Sequence, residues 1–182
     1  WGRAELERAF VLKLRFSAPS GELVLRGVRP GRYQPPALPQ RLLNGGFEQG
    51  LRFWHASPQV RIDTAHSHSG RAALLIHAPR MDREGQATSR AIAVQPGHKY
   101  RLRAFVWQLS GKGPYKVTIN WLDENGHHIR YDNDWRGHDR PQSYKEHGGI
   151  FTAPDNARQA CVILGCKGAC CLFDDISLEP AE

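Results

Sequence analysis

A fold made wholly of β-structure, a sandwich or a barrel of many short strands, is what this sequence predicts, and three observations predict it. Short apolar or alternating runs recur along the chain. Between them stand clusters of Gly, Pro, Ser, Asn and Asp, residues that accept tight-turn dihedrals. Only "RAELERAF", near the start, resembles a helix, and it is too short and uncapped to hold alone.

In chain order the runs are "AFVLKLRF", "GELVLRGV", "RAALLIH", "TSRAIAV", "YRLRAFVW", "YKVTINWL", "GIFTA", "ACVILG" and "CLFDDISL". The turns between them include "APSG", "HSHSG", "QPGHK", "SGKGP", "DENG" and "APDN". Many short strands at close spacing are the signature of a sandwich or barrel. The first two runs form a hairpin pattern followed by "RPGRYQPPALPQR", whose four prolines keep the backbone extended and cannot donate to a central ladder. Residues 1–40 therefore read as an N-terminal β-hairpin and Pro-rich linker, and residues 41–182 as the main domain. Two strands alone are marginal in water, so the hairpin needs a partner for its apolar face. It echoes "ACVILGCKGACCLFDDISLEP" near the other end, which also runs strand, small-residue turn, strand, proline.

The bulk numbers fit one domain with a sizeable core plus an extension, in 182 residues. No apolar run reaches the roughly 20 residues of a membrane-spanning helix. The opening "WGRAELERAF" has no initiator methionine and no signal-peptide pattern, which reads as a piece of a longer protein with neighbouring domains. A net charge of +7 favours anionic contacts or simply a basic, soluble surface. No recognised nucleic-acid motif accompanies that charge, so a nucleic-acid partner is not expected.

All four cysteines crowd into "CVILGCKGACC", a spacing unlike the separated pairs of a zinc site. Cys166 and Cys170 flank the turn "KGA", and two readings stand: a bridge across that turn in an oxidising compartment, or free thiols filling strand positions. The catalytic patterns G-x-S-x-G, H-E-x-x-H and the Gly-rich phosphate loop are missing. Asp123 and Glu124 sit in a turn that explains them. Asp132 and Asp134 lack any supporting motif for a glycosidase pair, and the histidines His66, His68, His127 and His128 lack a third metal ligand in view.

From Leu42 onward, six pieces stand in one order: "NGGFEQGLRFW", "AHSHSGRAALLI", "AIAVQPGHKYRLRAFVW", "VTINWLDENG", "GIFTAPDNA" and "FDDISLEP". In order and spacing they resemble the carbohydrate-binding modules of the family 4, 9 and 22 type, which are galactose-binding-like jelly rolls. The resemblance implies a jelly-roll β-sandwich that binds polysaccharide without catalysis, in a secreted, periplasmic or cell-surface protein. It also implies that the Asn-Gly-Gly turn starts the first strand, that Trp54 is core, and that a structural calcium is shared by Glu48 and Asp174. Asp175 lies adjacent, and backbone carbonyls near Ser69 and Gly70 are further candidates; calcium takes six to eight oxygens of such mixed origin.

Strand parity then locates a candidate sugar face. In "YRLRAFVW" one set is Tyr100, Leu102, Ala104 and Val106, and the other is Arg101, Arg103, Phe105 and Trp107. A core face does not hold two arginines, so the second set looks outward. In "YKVTINWL" the core set is Tyr115, Val117, Ile119 and Trp121, leaving Lys116, Thr118, Asn120 and Leu122 exposed. If these strands are neighbours, the outer face offers rings, guanidinium forks, an ammonium and an amide, the mixture that holds a sugar and would also suit an acidic one. Trp107 is the first choice of platform. The polar stretch from Arg130 to Gly149 reads as a loop in which Trp135 closes one end of a groove. The competing reading is a structural or protein-interaction module, with the N-terminal hairpin lying over the sheet and Phe105 and Trp107 as second-layer core.

Overall fold

The computed structural model describes residues 37–137 and 143–181, and for residues 133–137 the backbone alone. The chain divides into two units, Trp1–Pro35 and Pro36–Glu182. The expected N-terminal hairpin lies outside the described residues.

Among the described residues eleven strands build the second unit: β1 (Trp54–Ala56), β2 (Val60–Asp63), β3 (Ala73–Ala78), β4 (Gly85–Ser89), β5 (Ile92–Ala93), β6 (Lys99–Gly111), β7 (Tyr115–Leu122), β8 (His128–Gly137), β9 (Lys145–Thr152), β10 (Gln159–Cys166) and β11 (Ala169–Pro180). A front sheet runs β1-β4-β10-β7-β8, with β5 also paired to β10; a back sheet runs β2-β3-β11-β6-β9. Every pairing is antiparallel. The two sheets stack as a jelly-roll sandwich, the fold class the sequence predicts. The stretch expected to be a loop supplies most of β8 and β9 instead. Its polar residues conceal edge strands, which need little apolar alternation because each pairs on one side only.

Alternation puts the core between the sheets. Tyr100, Leu102, Ala104 and Val106 of β6 are buried, and so are Tyr115, Val117, Ile119 and Trp121 of β7, as parity predicts. Burying a side chain of this size is worth about 1.5–3 kcal/mol. Tyr100 and Trp121 meet across the sandwich with ring centroids 5.8 Å apart. Two aromatic polar atoms of the core find partners: the Tyr115 hydroxyl and His147 Nε2 hydrogen-bond at 2.9 Å, and Trp121 Nε1 donates to Asp132 at 2.8 Å.

Residues 42–53 are turns, and the first strand starts only at Trp54. The Asn-Gly-Gly turn does not open that strand, contrary to expectation; it ties the front of the domain to β11. The Ile176 amide donates to the Gly45 carbonyl at 3.0 Å, and a Cβ on Gly45 would collide with the Ile176 carbonyl, so only glycine fits. Asn44, at φ 54°, donates to the carbonyls of Gly50 and Arg52 and accepts from the Gln49 amide. Phe47 and Trp54 pack at 5.2 Å, and Trp54 Nε1 donates to the Asn44 carbonyl, which puts Trp54 in the core as expected.

Candidate functional site

The residues expected to form one binding face belong to two. β6 pairs with β11 and β9 in the back sheet, whereas β7 pairs with β10 and β8 in the front sheet. Arg101, Arg103, Phe105 and Trp107 therefore look out from one side of the sandwich, and Lys116 and Asn120 from the other. The cause lies in the connection. Gly111, at φ 86°, and Gly113 press so closely on the Lys167–Gly168 turn that a Cβ on either would collide with it, and the chain arches from sheet to sheet there instead of closing a hairpin. Trp135 belongs to β8, where its backbone pairs with Val117 of the front sheet.

On the back face the aromatic pair is covered by the chain itself. The His68 ring stacks on Phe105 at 3.8 Å, while His66 and Tyr144 meet Trp107 edge-on at 5.6 and 5.8 Å. Beneath Trp107 lies a second apolar cluster of Ala73, Leu75 and Leu172. The covering segment is pinned: Tyr144 Oη donates to the His66 carbonyl at 2.6 Å, His68 Nδ1 bonds Asp175 at 2.7 Å, and Asp63 accepts from the amides of Ala65 and His66. Burial pushes the Tyr144 hydroxyl well above its usual range, with the carboxylates of Asp174, Asp63 and Asp175 acting in the same direction. Arg103 holds Glu146 through two hydrogen bonds, at 2.7 and 3.2 Å, and Arg101 is exposed.

The front face is built differently. Register places Gln86, Gly165 and Lys116 in one row across the sheet, Thr88, Ile163 and Thr118 in the next, and Cys161, Asn120 and Tyr131 in a third. Thr118 and Ile163 form a buried floor, so Thr118 is not exposed as parity alone implies. Polar groups above it hold one another in place. Lys116 Nζ pairs with Glu84 at 2.6 Å, Gln86 Nε2 donates to Thr88 Oγ1 at 3.3 Å, and Asn120 Oδ1 meets His128 Nδ1 at 2.7 Å. The His128 ring lies 4.1 Å from that of Tyr131, which is 48% exposed. Fixed amides and hydroxyls beside an open ring are the groups that meet sugar hydroxyls and C–H faces.

Residues 40–165 match the carbohydrate binding domain family of the CBM 4 and 9 type, more than half of the chain. The chain belongs to that family. It is a carbohydrate-binding module on a jelly-roll sandwich, and modules of this family bind sugar without catalysing its cleavage. Solved structures of the same fold include a family 16 carbohydrate binding module, at 16% identity over 75% of this chain and 97% of its own, TM-score 0.60. Another is the CBM22-1 xylan-binding domain from Paenibacillus barcinonensis Xyn10C, at 16% over 81% and 99%, TM-score 0.57. A third is the CBM22-1-GH10 part of the Clostridium thermocellum endo-1,4-β-D-xylanase 10B complexed with xylohexaose, at 14% over 79% of this chain and 29% of that one, TM-score 0.61. No curated protein matches the module in sequence.

The module's two expected metal ligands grip one segment from either end. Glu48 Oε1 accepts from the amides of Arg71 and Ala72 at 2.8 and 3.1 Å. Asp174 is fully buried; its Oδ2 accepts from His68 and Ser69, and its Oδ1 from Asp175. A bulge puts it there: β11 advances from Asp174 to Ser177 while β6 steps only from Phe105 to Arg103. Burial pushes the Asp174 carboxyl up to about 6, against the pull of those three amides. Among the described residues no three His, Cys, Asp or Glu side chains converge on a metal position. Two carboxylates are donors of the kind a hard cation takes, and such an ion would need backbone carbonyls to complete its shell.

Of the four acids weighed for catalysis, Asp132 and Asp123 are committed elsewhere. Asp132 accepts from Trp121 and Arg130, and Asp123 caps its own turn through the amides of Asn125 and His127. Sequence reasoning missed Gln86, Thr88, His128 and the strand position of Tyr131. The signal for β4 was the alternation of small and polar residues in "GQATS", too weakly apolar to stand out.

Proposed function

We propose that this module binds polysaccharide on its front face, across the rows formed by Gln86, Thr88, Lys116, Asn120 and Tyr131. The observation that carries the reading is the contrast in cover: Tyr131 stands open beside fixed amides, while Phe105 and Trp107 lie under the chain's own His66, His68 and Tyr144. Lys116, Asn120 and Trp135 of the expected site stay on the binding sheet, and Arg101, Arg103, Phe105 and Trp107 leave it. A neutral glycan is favoured over an acidic one, because Lys116 and Arg103 already face Glu84 and Glu146. Xylan is the first polysaccharide to try, since two structural neighbours are described with xylan or xylohexaose.

Calcium is the module's structural cofactor in this reading, held by Glu48 and Asp174, and it ties the two ends of the domain together. Adding a chelator lowers the melting temperature and added calcium restores it; an unchanged melting curve in both arms removes calcium from the account. The module has no hydrolytic activity of its own and acts outside the cell, joined to neighbouring domains.

Isothermal titration of wild type and Asn120→Ala with soluble xylan and other neutral polysaccharides tests the site. Binding by wild type that weakens at least about tenfold in the variant supports it. Full binding by Asn120→Ala together with loss in Trp107→Ala moves the site to the back face.

A further inference from the structure

We propose that Cys166 and Cys171 form a disulfide joining the two sheets when the module folds in an oxidising environment. Cys166 ends β10 in the front sheet and Cys171 lies near the start of β11 in the back sheet. Both side chains turn inward to the same core, at 2% and 0% exposure. The Cys166 thiol donates to the Ile76 carbonyl at 3.4 Å and lies 3.6 Å from the Ala169 carbonyl. Ile76 is the residue paired directly with Cys171 across β3 and β11, so the sulfur of Cys166 stands beside the position opposite Cys171. The neighbouring Cys166 and burial hold the Cys171 thiol well above its ordinary range.

Neither remaining cysteine is placed to compete. Cys170 turns to the outer side of the back sheet, packing on Ala73, Leu75 and Leu172, so a bridge from Cys166 across the "KGA" turn would have to pass through the sheet. Cys161 faces out from the front sheet beside Asn120.

Closing the bond breaks two S–H bonds and forms one Sγ–Sγ bond. Two electrons and two protons pass to an external disulfide, either glutathione disulfide or the active-site disulfide of a thiol–disulfide oxidoreductase, which becomes two thiols. Burial fixes the timing. Both sulfurs are shielded in the finished sandwich, so exchange occurs while the sheets are docking, and the folded reduced protein resists the same oxidant.

The test refolds the full chain from denaturant in a buffer of glutathione and glutathione disulfide, alkylates free thiols, and digests with trypsin without reduction. Trypsin cuts after Lys167, between the two cysteines, so the disulfide joins two peptides. Mass spectrometry should find that linked pair from wild type and from Cys170→Ser, and lose it in Cys171→Ser. Four alkylated thiols in refolded wild type overturn the proposal, as does a linkage that disappears in Cys170→Ser. Should Cys171→Ser fail to fold, the fragment ions of the linked pair from Cys170→Ser decide: sulfur carried by Cys166 supports the proposal, and sulfur carried by Cys161 overturns it.

Discussion

The two outer faces of the sandwich carry similar raw material and treat it in opposite ways. Each has aromatic rings, cations and hydrogen-bonding groups. On the front, the polar groups hold one another over a buried floor of Thr118 and Ile163, and the Tyr131 ring remains open. On the back, Phe105 and Trp107 are roofed by the segment around His66 and His68 and by Tyr144. A ring on the outer side of a strand is a platform for ligand only where the chain does not itself occupy it. Under the proposed function the back face serves stability and the front face recognition.

The largest expected effect that would break this division is in Asp174→Ala. The substitution strands the amides of His68, Ser69 and Asp175 and releases the roof of the back face, at a cost on the order of 3 kcal/mol in urea unfolding. Next comes Trp107→Ala, which uncovers Ala73, Leu75 and Leu172 and should destabilise by about 2 kcal/mol, less than a fully buried tryptophan, while glycan affinity stays unchanged. An affinity loss there without a stability loss would reverse the roles of the faces. Tyr131→Ala gives the mirror image: about tenfold weaker binding by titration, with the unfolding midpoint hardly moved because the ring is half exposed.

Much of this was legible in the sequence, and what was not has a physical reason. Parity picked out the core residues of β6 and β7, since Tyr100, Leu102, Ala104 and Val106 and then Tyr115, Val117, Ile119 and Trp121 are all buried, but it also put Thr118 on the surface, where the sheet buries it. Parity says which side of its own sheet a residue takes, but not which sheet the strand joins. That choice rests on Gly111 and Gly113 packing against a turn more than 50 residues away, a long-range contact with no local signature. Edge strand β8 was hidden for a related reason: its polar residues satisfy neighbours such as Trp121 and Asn120, not a hydrophobic pattern of their own. Glu48 and Asp174 were found only through likeness to a family, because nothing in either stretch alone says that both grip residues 68–72.

The smallest expected effect sharpens the electrostatic side of the comparison. Arg103 holds the Glu146 carboxyl below its ordinary value, chiefly by hydrogen bonding, and both side chains are about half exposed. Exposed pairs are screened, so Arg103→Gln should scarcely change the melting temperature at neutral pH. The sign of what remains is fixed by linkage: a carboxyl whose pKa is depressed in the folded state stabilises above its unfolded pKa, and that contribution disappears as pH falls through the folded pKa. Melting curves of wild type and Arg103→Gln should therefore lie slightly apart at pH 7 and converge on acidification. A gap that instead widened in acid would mean that Arg103 acts on another group, and the back face could no longer be read as electrostatically self-contained.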